Sequence, residues 1–159
     1  MAYILSADRE EDVREAFSQY REYLASVHSR FPSSAYSLVA DDWYFDFRDH
    51  RCPHDAWLES VVIAESTSVD HPERRNTSIV VRLIGAYGDG HIQFHYPHVL
   101  WYTLSTTDVS AGHRDWRFDE FRLTEEGHLL HEIEWWGRHE TGRWLICTTD
   151  VEFQWTLTQ

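Results

Sequence analysis

Apolar residues near the start of the chain recur every three or four positions, and this spacing predicts one amphipathic helix over about residues 7–30. The apolar face consists of Val13, Phe17, Tyr20, Leu24, Val27 and Phe31. The sequence FPSS at residues 31–34 ends this helix, because the residue before a proline is disfavoured in helical geometry. We expect the apolar face of the helix to cover a sheet.

From about residue 36 the pattern changes to alternation, which predicts strands up to residue 158. In LVADDWYFDFR the aromatic residues at 43, 45 and 47 are expected on one face, and Asp42, Tyr44 and Asp46 on the other. Further apolar runs follow at 56–66, 77–87, 91–105, 115–123, 128–136 and 144–158, the last being one long strand or two. We therefore predict one α+β domain over residues 1–159, in which an N-terminal amphipathic helix packs on a curved, largely antiparallel sheet of seven or eight strands.

The chain is strongly acidic: it has 27 acidic and 14 basic residues, and its formal net charge is −13. All the basic residues are arginine, which excludes Schiff-base chemistry and the phosphate-binding lysine of a P-loop. Direct binding to nucleic acid needs a basic surface, so we do not expect it. An acidic protein of this kind favours a basic protein partner, and a homodimer stays open as an assembly.

The location is predicted from the N-terminus and the cysteines. The first residues, MAYILSADREEDVREAF, are too acidic for a signal peptide, and no apolar run is long enough to cross a membrane. Cys52 and Cys147 are the two cysteines, and we expect both to be free thiols. These features predict a cytoplasmic protein without membrane contact.

The segment GAYGDGHIQFHYPH, residues 85–98, raises the question of a metal site. His91 and His95 share a strand face but lie four residues apart, roughly 13 Å along a strand, which is too far for one ion without a bulge. Pro97 is expected to break or bulge the strand and to reorient His98. GDG is better explained as a hairpin turn. His95 and His98 stay candidate ligands only together with residues from other strands.

Catalytic motifs are absent from the sequence: there is no P-loop, GxSxG or dinucleotide fingerprint. The segment HEIEWWGRHE lacks the second histidine of HExxH and follows a strand pattern. We therefore expect no cofactor and favour a protein that is not an enzyme. One alternative is a small-ligand or carbohydrate-active domain that uses carboxylates and tryptophans in a cleft of the sheet. A further alternative is a histidine-based metal protein.

Acidic and aromatic residues are interleaved in DDWYFDF and EIEWW, and this combination suits a surface that anchors a basic protein. The candidate partner-binding residues are Asp42, Tyr44, Asp46, Glu132, Glu134 and Trp136. Tyr44 and Trp136 are expected to be exposed, because their parity differs from that of the core aromatics.

The segments RLIGAYGDGHIQFHYPHV and GHRDWRFDEFRLTEEGHLLHEIEW, followed by GRWLICTTDVEFQW, resemble small uncharacterised bacterial α+β proteins of about this length. In size, acidity and α+β pattern the chain is also similar to immunity proteins that neutralise polymorphic toxins. The second resemblance implies a cytosolic, non-enzymatic inhibitor that occludes a basic toxin through an acidic, aromatic-rich surface. It assigns no binding residue, because toxin contacts differ between immunity families.

Overall fold

The structure is a computed structural model that describes residues 1–6, 13–137 and 141–159. Helix α1 spans Val13–Val27 and helix α2 spans Ser33–Val39. Short 3₁₀ turns lie at Ile4–Ser6, His28–Arg30 and Asp42–Phe45. The predicted helix start, near residue 7, falls on residues 7–12 and so lies outside the described residues.

The strands are β1 (Trp57–Thr67), β2 (Arg75–Ile84), β3 (Gly90–Ser105), β4 (Asp115–Leu123), β5 (Leu129–Trp136), β6 (Thr141–Thr148) and β7 (Glu152–Leu157). They form one sheet in the order β2-β1-β4-β5-β6-β3-β7, and β2 also pairs with β3. Every pairing is antiparallel. The prediction of an α+β fold with a largely antiparallel sheet is confirmed, with seven strands in the described part of the chain. The apolar run at 144–158 divides into two strands.

Helix α1 is fixed to the sheet by two tyrosines that bond to the edge of β4. In the described residues, β1 and β4 share one residue pair, at their first residues. Further along β4, the Tyr20 hydroxyl accepts a hydrogen bond from the N–H of Phe121 (2.9 Å) and donates one to the carbonyl of Phe121 (2.8 Å). The Tyr23 hydroxyl accepts the N–H of Leu123 at 2.7 Å. These bonds satisfy backbone groups that would be costly to bury unpaired.

Alternate residues of the strands form the core, as the period-two pattern predicts. Ile79, Val81 and Leu83 of β2 are fully buried. They are joined there by Ile92, Phe94, Tyr96, Trp116, Phe121, Ile133, Trp135, Trp144 and Ile146, each at most 2% exposed. Residues of the predicted apolar face of α1 are buried as well, namely Tyr20, Leu24 and Val27. Burial of this many large side chains supplies the main driving force for folding.

The prediction of strands from about residue 36 is wrong for its first part, because β1 begins only at Trp57. Residues 33–39 form α2 instead. Ala35, Leu38 and Val39 are its buried positions, and their spacing of three and four is helical. The residues after it form the 3₁₀ turn Asp42–Phe45. A short apolar cluster is compatible with the periodicity of a helix and with that of a strand, and this segment forms a helix.

Candidate functional site

The six residues predicted to bind a partner lie in different environments. Asp42 is exposed at the start of its 3₁₀ turn. Tyr44, in the same turn, is fully buried, so the expectation that its side chain is exposed is wrong. Asp46 accepts the Arg48 Nε–H at 3.0 Å, and this ion pair already compensates its charge. The alternating pattern that grouped Asp42, Tyr44 and Asp46 predicted a strand, and no strand forms at these residues.

Glu132 and Glu134 on β5 are held by arginines. Glu132 pairs with Arg122 of β4 and with Arg143 of β6, and Arg143 also reaches Glu134 at 3.1 Å. The side chains of Glu132 and Glu134 are only 15% and 5% exposed. Trp136 is 44% exposed, and the guanidinium of Arg117 lies 4.6 Å from its ring. These groups already have partners within the protein, which leaves less of their charge for a second molecule.

The candidate metal ligands are engaged in separate hydrogen bonds. His95 Nδ1 lies 2.9 Å from Glu152 Oε2, and His98 Nδ1 lies 2.7 Å from Asn76 Oδ1. The strand is indeed bulged at Pro97, because the β2–β3 register shifts there. Within residues 1–6, 13–137 and 141–159, no group of three or more His, Cys, Asp or Glu side chains is placed to hold a metal ion.

A buried polar network, the Asp119 network, lies inside the sheet. The carboxylate of Asp119 accepts hydrogen bonds from the Tyr44 hydroxyl (2.5 Å), Trp116 Nε1–H (3.0 Å) and His131 Nε2–H (2.8 Å). The other nitrogen of His131, Nδ1, accepts the Tyr96 hydroxyl at 2.7 Å. All five side chains are at most 3% exposed.

The Asp119 network is a closed arrangement. Burial lowers the pKa of His131 despite the opposing effect of Asp119, so the imidazole is neutral near pH 7 and keeps one donor and one acceptor. Burial likewise raises the pKa of Tyr44 and of Tyr96, so both hydroxyls stay protonated and donate. Since each of these donors is used and all the members are almost completely buried, the network ties the 3₁₀ turn at Asp42–Phe45 to strands β3, β4 and β5.

An open groove lies on the other side of that 3₁₀ turn, where it meets α1 and α2. We call it the acidic groove. It has a volume of about 180 Å³. Its lining combines buried Leu24 and Val39, half-buried Tyr36 and Phe45, and exposed Arg21, Ala40, Asp41 and Asp42. Tyr36 is held in place by His28, whose ring stacks on it with centroids 4.0 Å apart.

The carboxylates of the acidic groove form no ion pair among the described residues, although Asp41 is close enough to Arg51 to contribute to the raised pKa of its guanidinium. Asp41 and Asp42 take part in none of the ion pairs formed by the described residues, in contrast to Asp46 and Asp49 nearby. Among the described residues that line the groove, Arg21 is the one cation, so two carboxylates outnumber one guanidinium. The groove can therefore accept a cationic group between aromatic side chains.

Sequence reasoning found Asp42 but missed the other residues of the groove and the whole Asp119 network. The groove depends on α2, whose signal was the helical spacing of Ala35, Leu38 and Val39 after Pro32. The network depends on which strands pair, and no local pattern in the sequence carries that information.

No family model, curated protein or solved structure matches this chain. Neither of the two described helices is long and apolar enough to cross a membrane.

Proposed function

We propose that this protein is a cytosolic, non-enzymatic binding protein whose acidic groove receives a basic side chain of a partner protein. The observation that carries the proposal is that Asp41 and Asp42 are exposed and form no ion pair among the described residues. They lie in one groove with the rings of Tyr36 and Phe45. The groove is smaller than the roughly 300–1,000 Å³ of typical small-ligand pockets, and its size suits a single inserted side chain.

Arginine is the side chain that fits this groove best. Its guanidinium can form two parallel hydrogen bonds with a carboxylate, and it stacks on aromatic rings, which an ammonium group does less well. Arginine is also, with tryptophan and tyrosine, one of the residues enriched at interface hot spots. The net charge of −13 would add long-range attraction for a basic partner and speed its approach.

The more specific form of the proposal is an immunity-type inhibitor of a basic toxin. Such an inhibitor needs a rigid scaffold, and the Asp119 network supplies one directly behind the 3₁₀ turn that carries Asp42. A cytosolic location agrees with two buried, unpaired cysteines, Cys52 and Cys147, in a compartment that keeps thiols reduced.

The groove is tested with Nα-acetyl-arginine amide as a minimal probe, titrated into the ¹⁵N-labelled protein. We expect the largest shifts in the backbone amides of Tyr36, Ala40, Asp41 and Asp42. Replacing Arg21 with Gln should strengthen binding, because it removes the competing cation of the groove. The neutral probe Nα-acetyl-citrulline amide serves as control, and equal binding of the two probes would contradict the proposal.

The inhibitor role is tested in cells that express a toxin encoded by a gene adjacent to this one. Wild-type protein should protect the cells, and the double variant Asp41→Asn with Asp42→Asn should lose that protection. A purified toxin should associate several-fold more slowly when ionic strength rises from 0.01 M to 0.15 M, as the Debye length falls from about 30 to 8 Å. An association rate that does not depend on salt would contradict the electrostatic part of the mechanism.

A further inference from the structure

A second cavity, the loop cavity, lies where the first residues of β1 and β4 pair. It has a volume of about 310 Å³, which is within the range of small-ligand pockets. Its lining comes from Trp57 and Leu58 of β1, from residues 111–114 of the loop that precedes β4, and from Asp115. It shares no lining residue with the acidic groove.

Trp57 gives the loop cavity a fixed aromatic surface. Trp57 is 62% exposed, so its ring is accessible from the cavity. The ring is nevertheless held, because its Nε1–H donates to Asp115 Oδ1 at 2.7 Å. This bond also occupies the Asp115 carboxylate, so the acid in the lining already has a partner.

Arg114 gives the loop cavity a cation. Its backbone has φ of +65°, a left-handed conformation that costs energy in a residue with a side chain, and Gly112 two residues earlier has φ of +78°. In the described part of the chain, Arg114 forms no ion pair, whereas Arg117 nearby is paired with Asp55. The strained backbone therefore presents a guanidinium that no carboxylate of the described residues neutralises.

His113 connects the loop cavity to two indole groups. Its ring centroid lies 5.5 Å from that of Trp135 and 5.5 Å from that of Trp144. Both tryptophans are at most 2% exposed, and both indole Nε1–H groups lack a hydrogen-bond partner among the described residues. An unsatisfied buried N–H is costly, and both of these indole rings pack against the one histidine that lines the loop cavity.

We propose that the loop cavity binds a small planar aromatic carboxylate. The aromatic part would stack on Trp57, and the carboxylate would pair with Arg114. Burial lowers the pKa of His113, so the imidazole in the cavity lining is neutral near pH 7.

The test uses three probes that share one ring system and differ in charge: indole-3-acetate, indole-3-acetamide and tryptamine, each titrated by calorimetry and by NMR. We expect indole-3-acetate to bind at least about tenfold more tightly than the amide, since a charge-assisted hydrogen bond is roughly twice as strong as a neutral one. Tryptamine should bind most weakly. Equal affinity for acetate and amide, tightest binding of tryptamine, or no binding of any probe at about 1 mM would each overturn the proposal.

Two pairs of variants locate the binding. Arg114→Gly removes the guanidinium and suits the positive φ, so the fold is preserved, and it should abolish the preference for the carboxylate. Arg74→Gly, in an exposed loop, is its control. Trp57→Ala should weaken all three probes about tenfold, whereas Trp101→Ala, at another exposed tryptophan, should change none of them. A carboxylate preference that survives in Arg114→Gly would overturn the assignment.

Discussion

Two pairs of adjacent acidic residues, Asp119–Glu120 and Asp41–Asp42, look alike in the sequence and differ completely in the structure. Asp119 and Glu120 are at most 3% exposed and accept hydrogen bonds on opposite faces of β4. Asp41 and Asp42 are exposed and have no ion pair among the described residues. The first pair uses its charge to hold the fold together, and the second keeps its charge available.

The difference arises from the donors around each pair. Asp119 receives three side-chain donors, and Glu120 accepts the backbone N–H groups of Tyr3 (3.0 Å) and Ile4 (2.7 Å) and pairs with Arg122. A buried carboxylate is tolerated only with such partners. The surface pair needs no such donors, because water solvates exposed carboxylates. Burial therefore decides whether an acidic pair needs partners inside the protein, and under the proposed function the exposed pair would bind a basic side chain.

The largest expected effect comes from Asp119→Ala. It leaves the Tyr44 hydroxyl, the His131 Nε2–H and the Trp116 Nε1–H without their acceptor inside the core. We expect a loss of about 3–5 kcal/mol in the free energy of unfolding. The matched variant Asp42→Ala should change it by less than about 0.5 kcal/mol. Urea denaturation followed by circular dichroism measures both, and similar losses in the two variants would refute the contrast.

Glu120→Gln should have the next largest effect. It keeps the shape of the side chain but removes the charge that holds the backbone of Tyr3 and Ile4 and that pairs with Arg122. Hydrogen bonds to charged groups contribute about 1.5–3 kcal/mol, so a loss of that order is expected. Hydrogen exchange should show faster exchange at Tyr3 and Ile4 than in the wild type. Unchanged protection of these amides would mean that Glu120 does not hold them.

Acid should destabilise the protein partly through His131. Its pKa is lowered by burial, so the folded state binds fewer protons than the unfolded state below the ordinary histidine pKa of about 6.5. The stability from this group is complete above that pH and is lost as pH falls, by at most about 1.4 kcal/mol per pH unit. His131→Gln should therefore be less stable at pH 7.5 but show a smaller decrease between pH 7 and 5. An unchanged slope would assign the pH dependence to other groups.

The smallest effect on stability is expected for the double variant Asp41→Asn with Asp42→Asn. Both carboxylates are exposed, and removing their mutual repulsion should change the free energy of unfolding by no more than about 0.5 kcal/mol. Thermal unfolding checks this. A large loss would show that the pair serves the fold, and the distinction drawn here between the two acidic pairs would fail.

Long periodic segments could be predicted from the sequence because their pattern repeats over many residues. The apolar face of α1 and the buried alternation of Ile79, Val81 and Leu83 were of this kind. The structure of residues 33–47 could not be predicted in this way. A seven-residue helix has too few turns for its periodicity to be distinguished from that of a strand. That misassignment placed Tyr44 on the surface, although it is fully buried.

The candidate site could be predicted only in fragments. Asp42 was visible as an acidic residue among aromatics, but its neighbours in the groove come from α1 and α2 as well as from its own turn. The Asp119 network joins residues from a 3₁₀ turn and three strands, with Tyr44 and Asp119 75 positions apart. Strand register decides which polar side chains meet, and register is a property of the whole sheet.

The most direct test of the central claim compares two double variants that remove the same amount of charge. Asp41→Asn with Asp42→Asn empties the acidic groove of carboxylates, and Glu125→Gln with Glu126→Gln neutralises an exposed acidic pair in the β4–β5 turn. The affinity of each protein for Nα-acetyl-arginine amide is measured by NMR titration at fixed ionic strength. We predict at least a tenfold loss for the groove variant and less than a twofold change for the turn variant. Equal losses in the two variants, or none in the first, would contradict the account.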